Sequence, residues 1–178
     1  MLEATYACVA RYGMAKTTVE DVAREARVSR ATVYRYFPGG RDQLIADTVA
    51  WEMGRFFGRL ADAVATAPDL PTLLVEGLMY AHRAVEEHEV LQKVLQTEPD
   101  RLLPSMTVAA NRVLVLIRGF LVPYLEQQPL REGVTVEEAS DYLARMVLSF
   151  IGTQGATDLT DRSTVESLVR REFLAGLV

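Results

Sequence analysis

One cysteine, two histidines and no apolar run long enough to cross a membrane set the first limits on this 178-residue chain. A lone Cys8 cannot close an internal disulfide, so no bridged extracellular framework is possible. The reducing cytoplasm is the expected compartment. Without a signal peptide or a membrane-spanning stretch, a lipid bilayer is not an expected partner. No strand-like alternation of useful length, internal repeat or low-complexity tract occurs, which excludes β-rich, solenoid and disordered classes. A glycine-rich phosphate loop, a nucleophile with a base beside it and a paired-carboxylate signature are also missing, so catalysis is not expected and no cofactor is called for. What remains is a chain 49% hydrophobic, enough for a packed core.

Charge is distributed unevenly. The chain carries a net charge of -5, yet residues 1–50 hold 7 basic and 6 acidic side chains, while residues 51–178 hold 12 and 18. Between Arg27 and Arg41 there are four arginines and no acid. A local positive field on an acidic protein points to a polyanion at that place, and the acidic remainder should stay clear of it.

Residues 17–44 read as two short helices joined by a tight turn. Thr17 and Glu20 have capping-box spacing, which predicts a helix from about Thr18 with Val22, Ala23 and Ala26 on its apolar side. Ser29 is a good N-cap for a second helix over about Arg30 to Tyr36, and Val28 can plug the corner between the two axes. Val33 faces inward, Phe37 anchors the end, and Pro38 stops the helix. The outer side then carries Arg30, Ala31, Thr32, Tyr34, Arg35 and Tyr36. Small residues at such an N-terminus let the backbone approach a major groove, arginine can pair bidentately with guanine, and the alanine or threonine methyl can touch thymine. Tyrosine hydroxyls and helix N-termini suit phosphate oxygens. The candidate DNA-binding set is Thr17, Thr18, Ser29, Arg30, Ala31, Thr32, Tyr34, Arg35, Tyr36 and Arg41. The plainer alternative is a structural hairpin with solvated arginines.

The run from Thr17 to Ala23, then Val28-Ser29, then Thr32 to Pro38, then Leu44, resembles the DNA-binding domain of the tetracycline-repressor (TetR) family. Residues 2–13 look like that family's first helix, with Leu2, Tyr6, Val9 and Ala10 at core spacing and Gly13 closing it. The resemblance implies an all-α protein of about nine helices. An N-terminal three-helix helix-turn-helix domain (residues 1–45) would precede an effector-binding and dimerisation domain (residues 46–178). It further implies a homodimer on a palindromic double-stranded operator, released by a small-molecule effector, which the candidate pocket residues below suggest is largely apolar. Three departures stand out. Arg27 occupies a turn position where the family most often has glycine, so it must accept a left-handed backbone at about 1 kcal/mol or a different turn. Gly39-Gly40-Arg41 is one residue longer than the usual step. The chain also opens almost inside its first helix, where relatives commonly carry a basic arm.

Beyond Leu44 the pattern stays helical. Helices are expected over about 42–67, 71–87, 89–97, 104–127 and 136–153, then from Asp161 or Ser163 onward. Pro104 suits a first turn, and Pro123 should kink or end its helix. Thr135 and Glu138 form a second capping box, and Gly152 and Gly155 close the helix it opens. Tyr142, Met146, Val147 and Phe150, with Val165, Leu168, Val169 and Phe173, form two apolar stripes that suit a four-helix dimer interface, the alternative being packing on their own domain. Trp51, Phe56, Met79, His82, Met106, Phe120, Tyr124 and Phe150 are candidates for an effector pocket, the alternative being ordinary core. A regulator governed by a protein partner, without a small molecule, stays open. A metal-dependent enzyme would rest on His82, Glu86 and Glu89 at i, i+4 and i+7, for which a solvated helix face is the simpler account.

Overall fold

The computed structural model describes residues 1–152 and 157–178; Gly155 lies outside the described residues. Among them all regular structure is helical: α1 (Leu2–Tyr12), α2 (Val19–Glu25), α3 (Arg30–Tyr36), α4 (Gly40–Val64), α5 (Leu70–Glu86), α6 (Glu89–Thr97), α7 (Pro99–Leu125), α8 (Val136–Gly152) and α9 (Arg162–Leu168). The last continues into a π-helical segment, Val169–Leu174.

The chain forms two compact units. The first comprises residues 1–55 together with 88–110, so α6 and the beginning of α7 belong with the three N-terminal helices. Ala4, Cys8, Val19, Val22, Ala23, Val33 and Leu44 make one core cluster, on which Val28 and Phe37 pack from the turn and the end of α3. Val9, Met14 and Ile45 make a second with Val94 and Leu102. The second unit comprises residues 56–87 and 111–178. There α5 packs against α8, α9 and the π-helical segment, burying Leu70, Leu74, Leu78, Leu143, Leu168 and Phe173.

Several boundaries differ from expectation. Both Thr17 and Thr18 precede an acid by three residues, and the second pair makes the box: Thr18 Oγ1 accepts from Asp21 N–H and Asp21 accepts from Thr18 N–H. The hydroxyl hydrogen bond from Thr18 holds the Asp21 carboxyl below its ordinary pKa. Helix α7 starts at Pro99, not Pro104, and runs two residues past Pro123. Proline removes one backbone donor at each site, which a helix of 27 residues absorbs. The box at Thr135 and Glu138 forms as expected, with Glu138 N–H donating to Thr135 Oγ1 at 3.2 Å. Asp161, not Ser163, caps α9. Helix α5 ends at Glu86 and α6 begins at Glu89, so His82, Glu86 and Glu89 do not share one helical face. Among the described residues no three such side chains are grouped to hold a metal.

Candidate nucleic-acid interface

The turn between α2 and α3 is made by backbone bonds from Val28 N–H to Ala23 O at 2.9 Å and from Arg27 N–H to Arg24 O at 3.2 Å. Arg27 adopts φ +55°, the left-handed conformation that its place in the turn demands and that an L side chain resists. Ser29 then caps α3: its Oγ accepts from Thr32 N–H at 3.0 Å and lies 2.9 Å from Thr32 Oγ1. That bond fixes both small hydroxyl residues at the N-terminal end of the helix.

Only Val33 of α3 is buried. Ser29, Arg30, Ala31, Tyr34, Arg35 and Tyr36 are exposed and Thr32 is half-buried. Tyr34 and Tyr36 expose 44% and 60% of their surface, much for large rings on so short a helix. The Arg35 guanidinium lies 5.1 Å from the centre of the Tyr36 ring, and Arg30 Nη1 meets Glu20 Oε1 at 2.7 Å across the turn. Both cations are thereby oriented before any ligand arrives.

Gly40 explains the longer Gly39-Gly40 step. Its φ is +62°, and a Cβ there would sit 3.1 Å from the Tyr34 ring. The turn thus supplies a left-handed residue and room for the tyrosine together. Gln43 Oε1 accepts from Gly39 N–H at 2.9 Å and fixes the same corner.

Two members of the candidate set are placed otherwise than expected. Thr17 is 1% exposed and its hydroxyl donates to Gly13 O at 2.7 Å, so it supports a turn and offers nothing to a duplex. Arg41 donates from Nε to Thr17 O at 2.8 Å and from Nη2 to Met14 O, while its Nη1 meets Asp42 Oδ1 at 2.8 Å; its donors are engaged within the protein. Glu20 and Gly40 were absent from that set. The first pairs with a residue ten positions away, beyond any helical spacing, and the second was visible only as an irregularity of length.

The dimer and pocket candidates divide as well. Val165, Leu168, Val169 and Phe173 are buried inside their own unit, and Val147 nearly so, which corrects their assignment to a surface between subunits. An amphipathic stripe needs a cover, and α5 supplies it. Tyr142 stays exposed while its hydroxyl donates to Glu172 O, and Met146 and Phe150 are half-buried. All eight pocket candidates are half-buried. Phe56, Met79, His82, Phe120, Tyr124 and Phe150 belong to the second unit, where the Phe120 and Tyr124 ring centres lie 5.7 Å apart and the tilted Phe150 and Phe173 rings 5.5 Å apart. Trp51 and Met106 belong to the first: Arg55 lies 4.7 Å from the Trp51 ring centre, and Met106 packs on the Val9 cluster. A groove of about 280 Å³ in the second unit is lined by other residues, among them Pro71, Val75, Arg162 and Leu174.

Residues 1–48 match the family model "Bacterial regulatory proteins, tetR family". An uncharacterised HTH-type transcriptional regulator of Mycobacterium tuberculosis strain H37Rv is 27% identical over 151 residues, which are 83% of this chain and 74% of that protein. Among solved structures, the TetR family repressor AlkX from Dietzia sp., implicated in biodegradation of n-alkanes, superposes with a TM-score of 0.68 at 21% identity, covering 94% of this chain and 90% of that one. The regulator FadR of Bacillus subtilis, solved in complex with stearoyl-CoA, gives 0.59 at 18% identity, covering 99% and 97%. With its capped α3 and wholly helical architecture among the described residues, the chain is similar over its first 48 residues to the tetR family of bacterial regulatory proteins, and over most of its length to an HTH-type, DNA-binding transcriptional regulator.

Proposed function

We propose that this regulator binds a palindromic operator as a homodimer, represses from it, and is released by a small, largely apolar effector. The outer face of α3 carries the reading: six residues, from Ser29 to Tyr36, are left exposed by a helix whose one buried side chain is Val33. Arg30, Ala31 and Thr32 sit at the end that enters a groove, where they touch base edges. Tyr34, Tyr36 and Arg35 hold phosphates, joined by Thr18 at the start of α2. A single seven-residue helix reads too few base pairs for useful specificity, and twofold symmetry doubles the site. Tyr142, Met146 and Phe150, which remain at least partly exposed on α8, are the surviving candidates for the contact between copies. The half-buried rings and thioether of Phe56, Met79, Phe120, Tyr124 and Phe150, with the imidazole of His82, suit an apolar occupant with a polar end. By function, residues 1–45 read DNA and residues 46–178 carry the effector and dimer contacts, with residues 46–55 and 88–110 packed in the first unit, in a cytoplasmic protein.

Selection of duplexes from a random library, followed by sedimentation of the complex, tests this reading. Two chains on one duplex whose half-sites lie about 34–36 Å apart is the expected result. One chain per duplex on an asymmetric site would reject the homodimer. Stearoyl-CoA is the first effector probe, and release of the selected duplex on its addition is the expected response. An apolar ligand can act only if it binds one conformation better than the other.

A further inference from the structure

Residues 13–17, which join α1 to α2, are held at both faces of their backbone. Glu98, between α6 and α7, spreads its carboxylate over two donors: Met14 N–H to Oε1 at 2.9 Å and Ala15 N–H to Oε2 at 2.5 Å. From the carbonyl side Arg41 donates to Thr17 O and Met14 O. Lys93 Nζ, on α6, donates to Ala10 O at 2.9 Å and finishes the C-terminal end of α1. Gly13 has φ +83°, and a Cβ there would collide with Glu98 Oε1. The glycine that ends α1 therefore also leaves room for a carboxylate from much later in the chain.

The Glu98 side chain is only 16% exposed, and bonds from backbone N–H groups to a carboxylate are among the stronger kind. Removing it strips the acceptor from the N–H of Met14, a buried residue, and from its neighbour Ala15. A donor left unpaired costs more than the bond was worth. The loop so held leads directly into Thr17 and Thr18, the anchor and cap of α2. In a helix-turn-helix that helix crosses the phosphate backbone and sets the angle at which the recognition helix enters the groove.

We infer that Glu98 is a positioning residue for DNA binding. It lies well outside residues 1–48 and acts through the α1–α2 loop without touching the duplex. The inference rests on the DNA-binding function, and it deepens it: any event that draws residues 88–98 off α1 also frees the loop that seats α2. Because Glu98 neutralises no phosphate, its loss lowers affinity while the dependence of affinity on salt keeps its slope.

The test uses the full chain and a duplex selected from a random library by the wild type. Glu98→Ala and Glu98→Gln are compared for hydrogen exchange at the Met14 and Ala15 amides and for Kd at several salt concentrations, below the melting temperature of each variant. Faster exchange at both amides is expected in each variant. Glu98→Ala should raise Kd at least tenfold, and Glu98→Gln, which keeps one carbonyl acceptor and the side-chain volume, should raise it less, both with the wild-type salt slope. Variants that bind as wild type, or whose loss comes with a shallower slope, overturn the proposal. If Glu98→Ala does not fold, Glu98→Gln decides by the same two readings. A wild type that selects no duplex overturns the DNA-binding reading and this inference with it, an outcome distinct from wild-type binding with unaffected variants.

Discussion

Helices α3 and α9 are each seven residues long, and each is capped by a side chain that accepts from the backbone N–H three positions on: Ser29 from Thr32, and Asp161 from Thr164. Local chemistry starts them alike, and burial separates them. Helix α3 buries Val33 alone and turns its rings and cations outward. Helix α9 buries Val165 and Leu168 and runs on through Val169, Phe173 and Leu174 into the core of its unit. Isolated helices of this length are unstable in water, so each persists because of what it packs on. One is anchored by a single residue so that the rest of its surface is free to bind. The other gives up its surface to hold its unit together.

The strongest way to break this contrast is to empty the buried side. Phe173 is fully buried and packs against the Phe150 ring. Phe173→Ala should cost about 3–5 kcal/mol in denaturant-induced unfolding of the second unit; a loss under about 1 kcal/mol would place that side chain outside the core. On the reading side the effect should fall on binding instead. Arg30→Ala or Thr32→Ala should leave the melting temperature nearly unchanged and cost about 1–3 kcal/mol at one base position, read by competition among duplexes changed one base pair at a time. Equal losses on every sequence would reassign these residues to phosphate contact.

The caps sharpen the comparison further. Ser29→Ala should remove about 1 kcal/mol of stability from the first unit, equally at all pH values, since a hydroxyl does not titrate in this range. Asp161 differs. Hydrogen bonds from Thr164 and Ser163 hold its carboxyl down from 3.8 to about 2. Its folded value lies below its unfolded one, so the stabilisation is complete above about pH 4 and is lost as pH falls toward 2. Acid titration of unfolding should show that loss in the wild type and not in Asp161→Asn; an identical acid limb in both would remove the carboxylate from the cap. The smallest effect lies in the turn. Arg27→Gly relieves the positive φ and should stabilise the first unit by up to about 1 kcal/mol, while removing one cation beside α3. Destabilisation would mean that the arginine side chain makes up for its own backbone strain.

Much of the head was legible because its signals are local. Ser29 three residues before a helical N–H, Pro38 after Phe37 and a lone apolar Val33 fix α3 to within a residue of its observed bounds. The capping box slipped by one because Thr17 and Thr18 both precede an acid at the right spacing. Only the burial of Thr17 against Gly13, a tertiary fact, decides between them. The setting of Arg41 is hidden from local sequence for the same reason: its carbonyl partners lie 24 and 27 residues away. Either Pro99 or Pro104 suits the first turn of α7, and nothing local tells that Pro99 takes it. The stripes of α8 and α9 were real, but periodicity shows which face is apolar and not what covers it. The cover is α5, in the same chain.

Whether the outer face of α3 reads duplex DNA is tested most directly by binding to duplex from the protein's own upstream region as a function of salt. The expected result is sequence-selective binding whose log Kd rises linearly and steeply with log salt concentration as phosphate counterions are released, and which is weakened when Tyr34 or Tyr36 is truncated. Absent or salt-insensitive binding on every duplex tested would contradict it.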